Sequence, residues 1–233
     1  ANTITLDANL TVECKGNYFT AVRIAPKDSL DMKPLETPAT SDIRPQYASF
    51  SPADDSLTFT GAGNLVVTSQ SESAAVEVGG TLVTLDAGTA SFSALGNSAT
   101  VNFTYQGAAS ATDSLVLTGG KVTLTANDPE GKGGVIEITT DQINIDTEVE
   151  INTNAVTLDD GGSISISTSG GRIFSSETIG LLNLHAKGNL GGNISISSAA
   201  DLDLSGTSDS SSIGSDNGGT ITFISVEEMS LTN

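Results

Sequence analysis

GGNISISSAADLDLSG, Gly191 to Gly206, is the stretch on which the fold turns. Two glycines precede Ile194 and Ile196 on alternate positions; small and polar residues follow, then a second alternating pair, Leu202 and Leu204. The arrangement returns in GGTITFISVEEMSLTN, Gly218 to Asn233. Double glycines ahead of alternating strands also stand at Gly133-Gly134 and Gly161-Gly162, so the units recur at a nearly constant step. An earlier pair, Gly79-Gly80, precedes Gly133-Gly134 by twice such a step. Second apolar pairs follow at Ile143/Ile145, Leu202/Leu204 and Met229/Leu231; the looser second unit offers Leu182/Leu184.

Self-similarity at this period marks stacked repeats. A unit of about 28 residues holds two or three short strands and cannot bury its own apolar face, whereas stacked copies bury it against one another. Alternation sends Ile164/Ile166, Ile194/Ile196 and Ile221/Phe223 inward and Ser165, Ser195 and Thr222 outward. The double glycine is expected at a corner, with positive φ and a close approach to the next coil. These features predict an all-β chain built as a parallel β-solenoid (β-helix) with repeats of about 28 residues. At a rise of about 4.8 Å per coil, residues 56–233 make a rod on the order of 30 Å long.

Three segments follow from the patterning. Residues 133–233 carry the regular repeats, and residues 56–132 form an array of short strands expected to be early coils. Residues 1–55 are an N-terminal β segment, with two strands expected in residues 1–24, and a Pro-rich excursion. Five of the six prolines fall in residues 26–52, which cannot be sheet interior because proline lacks the ladder N–H. A separate N-terminal β-module, or a cap on the solenoid, is the form this segment can take. Evenly spaced strands in the first half keep a jelly roll or other β-sandwich open as the competing fold.

The net charge of −19, with 28 acidic against 9 basic residues and no basic run, excludes nucleic acid and anionic membrane surfaces as partners. No apolar stretch reaches the roughly 20 residues that insert into a bilayer. The lone cysteine, Cys14, forms no intrachain disulfide and is expected in the core. The first residue is Ala1, which points to a processed or excised segment, with removal of a signal peptide one route.

No catalytic constellation stands out. His185 is the only histidine, and no serine lies in a nucleophile-elbow context. The repeat region carries only Lys121, Lys132, Arg172 and Lys187 as bases, too few for a polysaccharide lyase. The chain is therefore expected not to be an enzyme and to need no cofactor, with Ca²⁺ the one ion considered. Asp201, Asp203, Asp209 and Asp216 are the candidate ligands, because clustered carboxylates supply hard oxygen donors. A second acidic patch is Asp141, Asp146, Glu148 and Glu150.

The run GGNISISSAADLDLSGTSDSSSIGSDNGGTITF resembles the repeats of large secreted bacterial adhesins of the filamentous-haemagglutinin type, over Gly133 to Asn233. That resemblance implies a β-helical extracellular shaft that holds binding regions away from a cell. The expected function is that of an extracellular, cell-surface structural protein. It would be a filament, sheath or S-layer subunit, or a shaft segment of an adhesin. The last unit leaves strand edges and an apolar cross-section to be covered. Ile221 and Phe223 are expected to meet Ile4 and Leu6 of another molecule head to tail, unless a longer parent chain continues the coil. A glycan or a host surface is a further partner. The alternative function is a carbohydrate-binding or polysaccharide-cleaving β-helix.

Overall fold

The computed structural model describes residues 2–17, 19–24, 46–50, 56–79, 82–104, 114–155, 159–176, 180–209 and 218–232. Alternating residues form short strands almost throughout, with corners between them. The first coil is β1 (Asn2–Thr5), β2 (Leu10–Lys15) and β3 (Phe19–Ile24), followed by β4 (Gln46–Phe50). Next come β5 (Ser56–Thr60), β6 (Asn64–Gln70) and β7 (Ser73–Gly79), then β8 (Leu82–Ala87), β9 (Thr89–Leu95) and β10 (Thr100–Thr104). The middle of the rod is β11 (Ser114–Gly119), β12 (Val122–Asn127), β13 (Val135–Thr140), β14 (Gln142–Ile145), β15 (Glu148–Asn152) and β16 (Ser163–Thr168). It continues with β17 (Ile173–Ser175), β18 (Leu181–His185) and β19 (Asn193–Ser198). The last strands are β20 (Leu202–Ser205), β21 (Ser208–Asp209), β22 (Thr220–Ser225) and β23 (Met229–Thr232).

Every third strand stacks on the one before, giving three sheets around one core. Face A runs β1-β5-β8-β11-β14-β17-β20-β23, face B runs β2-β6-β9-β12-β15-β18-β21, and face C runs β4-β3-β7-β10-β13-β16-β19-β22. All of these pairings are parallel, as on β16 and β19, where Ile164 pairs with Ile194 and Ile166 with Ile196. The chain is a parallel β-solenoid, as its repeats predict. Among the described residues no helix is long and apolar enough to cross a membrane.

The inward positions make continuous apolar rows. On face C, Val76, Val101, Ile136, Ile164 and Ile194 stack in register, all of them buried. On face B the row is Val67, Phe92, Leu124, Ile151 and Leu184. Phe92 meets Phe103 across the interior edge to face, with ring centroids 5.2 Å apart and planes at 83°. Such a pair adds about 0.5–1.5 kcal/mol to its area burial. Cys14 is buried in the first coil. At the corner from face C to face A a hydroxyl recurs at the strand end. Thr168, Ser198 and Ser225 donate to the carbonyls of Gly171, Asp201 and Glu228 at 2.7, 2.8 and 2.8 Å. The hydroxyl replaces water for a corner carbonyl, which is why Ser or Thr closes each of these strands.

Four details of the repeat differ from the sequence expectation. Residues 2–24 hold three strands instead of two, because Leu6 turns the chain: its N–H donates to Thr60 O and its carbonyl accepts from Gly63 N–H. The N-terminal strands continue the same three sheets, β2 pairing with β6 and β3 with β7. Gly79-Gly80 does not belong to the double-glycine series, since it precedes β8 on face A while the other four precede strands of face C. Leu182/Leu184 lies on face B against Val149/Ile151; the counterpart of Leu202 is Ile173 on β17. The early period is obscure because coil length varies. On face A the register passes from Leu57 through Val83, Leu115, Ile143, Ile173 and Leu202 to Met229 in unequal steps. The shortest of them, Leu57 to Val83, is followed directly by the longest, Val83 to Leu115.

Close approach is what requires Gly133, Gly134, Gly161, Gly162 and Gly192 of the double-glycine series. Among the described residues positive φ occurs at Gly61, Gly119 and Gly206, none of them in the series. A Cβ on Gly162 would lie 2.0 Å from Gly134 O, and one on Gly192 would lie 2.1 Å from Gly162 O. The glycines of successive coils therefore stack backbone on backbone, and any side chain would push two coils apart.

Candidate functional site: the open end of the coil

The rows that form the core run out of partners at β22 and β23. Ile194 and Leu202 are 1% and 0% exposed, whereas Ile221 and Met229, one coil further and in the same rows, are 40% and 45% exposed. Leu231, above Leu204, is 48% exposed, and Phe223 is partly buried against the core. Each inward side chain in the rod interior is sandwiched between two coils, and these have a coil on one side only. A cleft of about 300 Å³ opens among Leu182, Ile196, Leu204, Ile221, Phe223 and Leu231. It lies on the side of β22 and β23 that no further coil covers among the described residues. Among the described residues no strand pairs with the outer edges of β22 and β23, which lie beside this apolar surface as a template for another strand.

The opposite end is built differently. β4 lies beyond β3 on face C and takes that edge, with Ala48 paired to Val22, while β1 and β2 are the outermost strands of faces A and B. Ile4 pairs through its backbone with Phe59. Leu6, expected at the contact surface, is only 4% exposed and belongs to the core, because it fills the corner that its own coil makes over Gly61 and Gly63. Leu10, in the same row as Leu65, is exposed.

Of the candidate Ca²⁺ ligands, Asp201 and Asp203 are the two whose side chains the structure describes. Asp201 is half-buried, and its Oδ1 accepts the Glu228 N–H of the next coil at 3.2 Å. That is a corner staple, repeated where Asp160 Oδ1 accepts from Leu190 N–H and Asn154 Oδ1 from Lys187 N–H. Asp203 points outward on face A, in register with Phe174 and Ser230. Asp209 pairs through its backbone with His185, and Asp216 lies outside the described residues. Among the described residues no group of three or more His, Cys, Asp or Glu side chains is placed to share a metal ion.

In the second acidic patch Lys121 binds Glu148 at 2.9 Å and Glu150 at 2.5 Å. The hydrogen bonds that Lys121 donates to Glu150 and then Glu148 raise its pKa above the ordinary lysine value. Asp141 is buried and accepts the Ser169 hydroxyl at 3.0 Å. These carboxylates knit neighbouring coils together. His185 lies on face B, its backbone carbonyl accepting Thr153 N–H at 2.8 Å.

A polar groove escaped the sequence reading. It runs along the corner from face B to face C, has a volume of about 610 Å³, and is lined by Lys15, Asn17, Gln70, Glu72, Asn97 and Glu130 among others. Its wall is the turn at Asp128, whose Oδ1 accepts Glu130 N–H at 3.0 Å and whose N–H donates to Lys132 O at 2.9 Å. The signal was present in the spacing of the corners, but the unequal steps from Val22 through Val76 and Val101 to Ile136 hide that Asn17, Glu72, Asn97 and Glu130 share one edge of the rod. No known protein family, curated protein or solved structure matches the chain.

Proposed function

We propose that this chain is a section of an extracellular structural rod, non-catalytic, whose task is to extend a surface filament, sheath or adhesin shaft coil upon coil. The observation that carries this reading is the set of three apolar rows, buried through the rod and bare at Ile221, Met229 and Leu231. Stacked coils bury such rows between neighbours, and a coil set beside β22 and β23 would cover these residues in the same way. The resemblance of Gly133 to Asn233 to adhesin repeats supports the extracellular setting.

The polar groove favours a second reading, carbohydrate binding or cleavage. Carboxylates, amides and one amine on a shallow edge suit neutral, hydroxyl-rich chains. A reducing-end release assay on a panel of polysaccharides, combined with a glycan array, separates the two. The rod reading expects no turnover. Turnover that disappears in Glu72→Gln or Asp128→Asn overturns it.

A further inference from the structure

We infer that the polar groove at the corner between faces B and C holds an unbranched, neutral polysaccharide along the flank of the rod and does not cleave it. The inference rests on the carbohydrate reading of that groove, in its binding half alone, and is independent of whether the rod extends.

The groove is a ladder of corners. Lys15, Gln70 and Leu95 stack in register at the ends of β2, β6 and β9. Further round the corner, Glu72 N–H donates to Asn17 O at 3.3 Å and Ser98 N–H to Glu72 O at 2.9 Å, so Asn17, Glu72 and Asn97 follow one another along the axis. The turn at Asp128 brings Glu130 to the end of that row in the fourth coil. Three coil steps of about 4.8 Å put about 14 Å between the first and the last of these side chains. An extended chain of pyranose rings advances by nearly one coil spacing per ring, so each coil faces one ring. The volume of about 610 Å³ is of the size that holds a small ligand or a short stretch of a linear one.

The floor is set before a ligand arrives. Gly16 N–H donates to Gln70 O at 3.0 Å, Ser71 N–H to Leu95 O at 3.1 Å, and Gly96 N–H to Asn127 O at 3.0 Å. A Cβ on Gly96 would stand 1.7 Å from Ser71 O, so the corners already touch. Ser71 is buried, its hydroxyl donating to Ser73 O at 2.7 Å. Little ordering is left for binding to supply. The same bonds engage the N–H groups that an added peptide strand would need. Recognition is left to side chains, and Asn17, Gln70, Glu72 and Asn97 are exposed.

Their chemistry selects the ligand. An amide both donates and accepts, a carboxylate only accepts, and the Lys15 ammonium only donates. A polyanion would set acceptors against Glu72 and Glu130, on a chain whose net charge of −19 already repels it. A polycation would set donors against the amide N–H groups and against Lys15, which Glu13 holds at 3.2 Å. Hydroxyl groups match all three kinds at once.

Isothermal titration calorimetry of the 233-residue chain tests this with linear hexasaccharides. The neutral probes are those of glucose, mannose and N-acetylglucosamine; glucosamine supplies the cationic probe and galacturonate the anionic one. At least one neutral hexasaccharide is expected to bind at one site per chain and to be recovered intact. Glu72→Ala and Asn97→Ala should each weaken that binding about fivefold to tenfold, as the loss of one hydrogen bond does, with an unchanged circular dichroism spectrum. Ser165→Ala, outward on face C, should bind as the parent does. Glu72→Ser or Asn97→Ser replaces a variant whose spectrum changes, under the same criteria. Binding of none of the neutral probes, binding of the charged probes alone, or parental affinity in both groove variants overturns the inference and leaves the rod reading standing. A neutral hexasaccharide that is bound and cut overturns both.

Discussion

Substituting Gly162 by alanine should open the solenoid between two coils. The added Cβ would stand 2.0 Å from Gly134 O, 2.8 Å from Gly134 N and 2.7 Å from the Thr153 Cβ. Non-bonded heavy atoms settle at about 3.5 Å, so the coils must separate locally by more than about 1 Å. Three hydrogen bonds converge there, one within the coil, Gly162 N–H to Thr153 O at 2.8 Å, and two between coils, Ser163 N–H to Gly134 O at 2.9 Å and Asn193 N–H to Gly162 O at 3.0 Å. Each contributes about 1 kcal/mol net, and overpacking adds about 1–3 kcal/mol. The expected loss is about 4–6 kcal/mol, a large part of the roughly 5–15 kcal/mol that holds a domain together. Gly170→Ala is the control, because the atoms nearest its Cβ belong to the Asp141 side chain, at 2.6 Å, which can rotate away. It should cost no more than about 1 kcal/mol, the worth of the Ser169–Asp141 hydrogen bond. Urea unfolding followed by far-ultraviolet circular dichroism reads both. A Gly162→Ala midpoint indistinguishable from that of Gly170→Ala would refute the close-approach account of the double glycines.

Ile151 is fully buried between Leu124 and Leu184, and Ile151→Ala should destabilise by about 2–5 kcal/mol in the same urea assay, through a cavity the stacked neighbours cannot fill. Lys121 is held protonated by Glu150 and Glu148, so its pKa lies higher in the folded chain than in the unfolded one. Its contribution is complete below the unfolded value of about 10.4 and is lost as pH rises through the folded value. The ion pairs are partly exposed, so the effect is at most about 1 kcal/mol. Lys121→Met should lower the melting temperature slightly at pH 7, and the difference from the parent should vanish at strongly alkaline pH.

Apolar alternation and period, both local properties, were enough to determine the class of fold. Ile164/Ile166 and Ile194/Ile196 announce strands by their spacing of two, and their recurrence one repeat later announces stacking, because a lone strand pair has nothing to pack against. Which strand stacks on which was decided only in three dimensions. Leu182/Leu184 looks like the partner of Leu202/Leu204, yet it belongs to another face, and Ile173 takes its expected place. Gly79-Gly80 carries the same dipeptide as the series but precedes a strand of face A, since coils of unequal length let the phase drift. The acids show the same limit. Asp201 was a candidate cation ligand from its neighbours in sequence; that its Oδ1 accepts the Glu228 N–H contributed by the next coil is visible only in the fold. The apolar rows that lead to Ile221, Met229 and Leu231 were legible in the repeat. How far each face reaches among the described residues, face A to β23 and face C to β4, depends on where the three sheets lie relative to one another, and only the assembled coil fixes that.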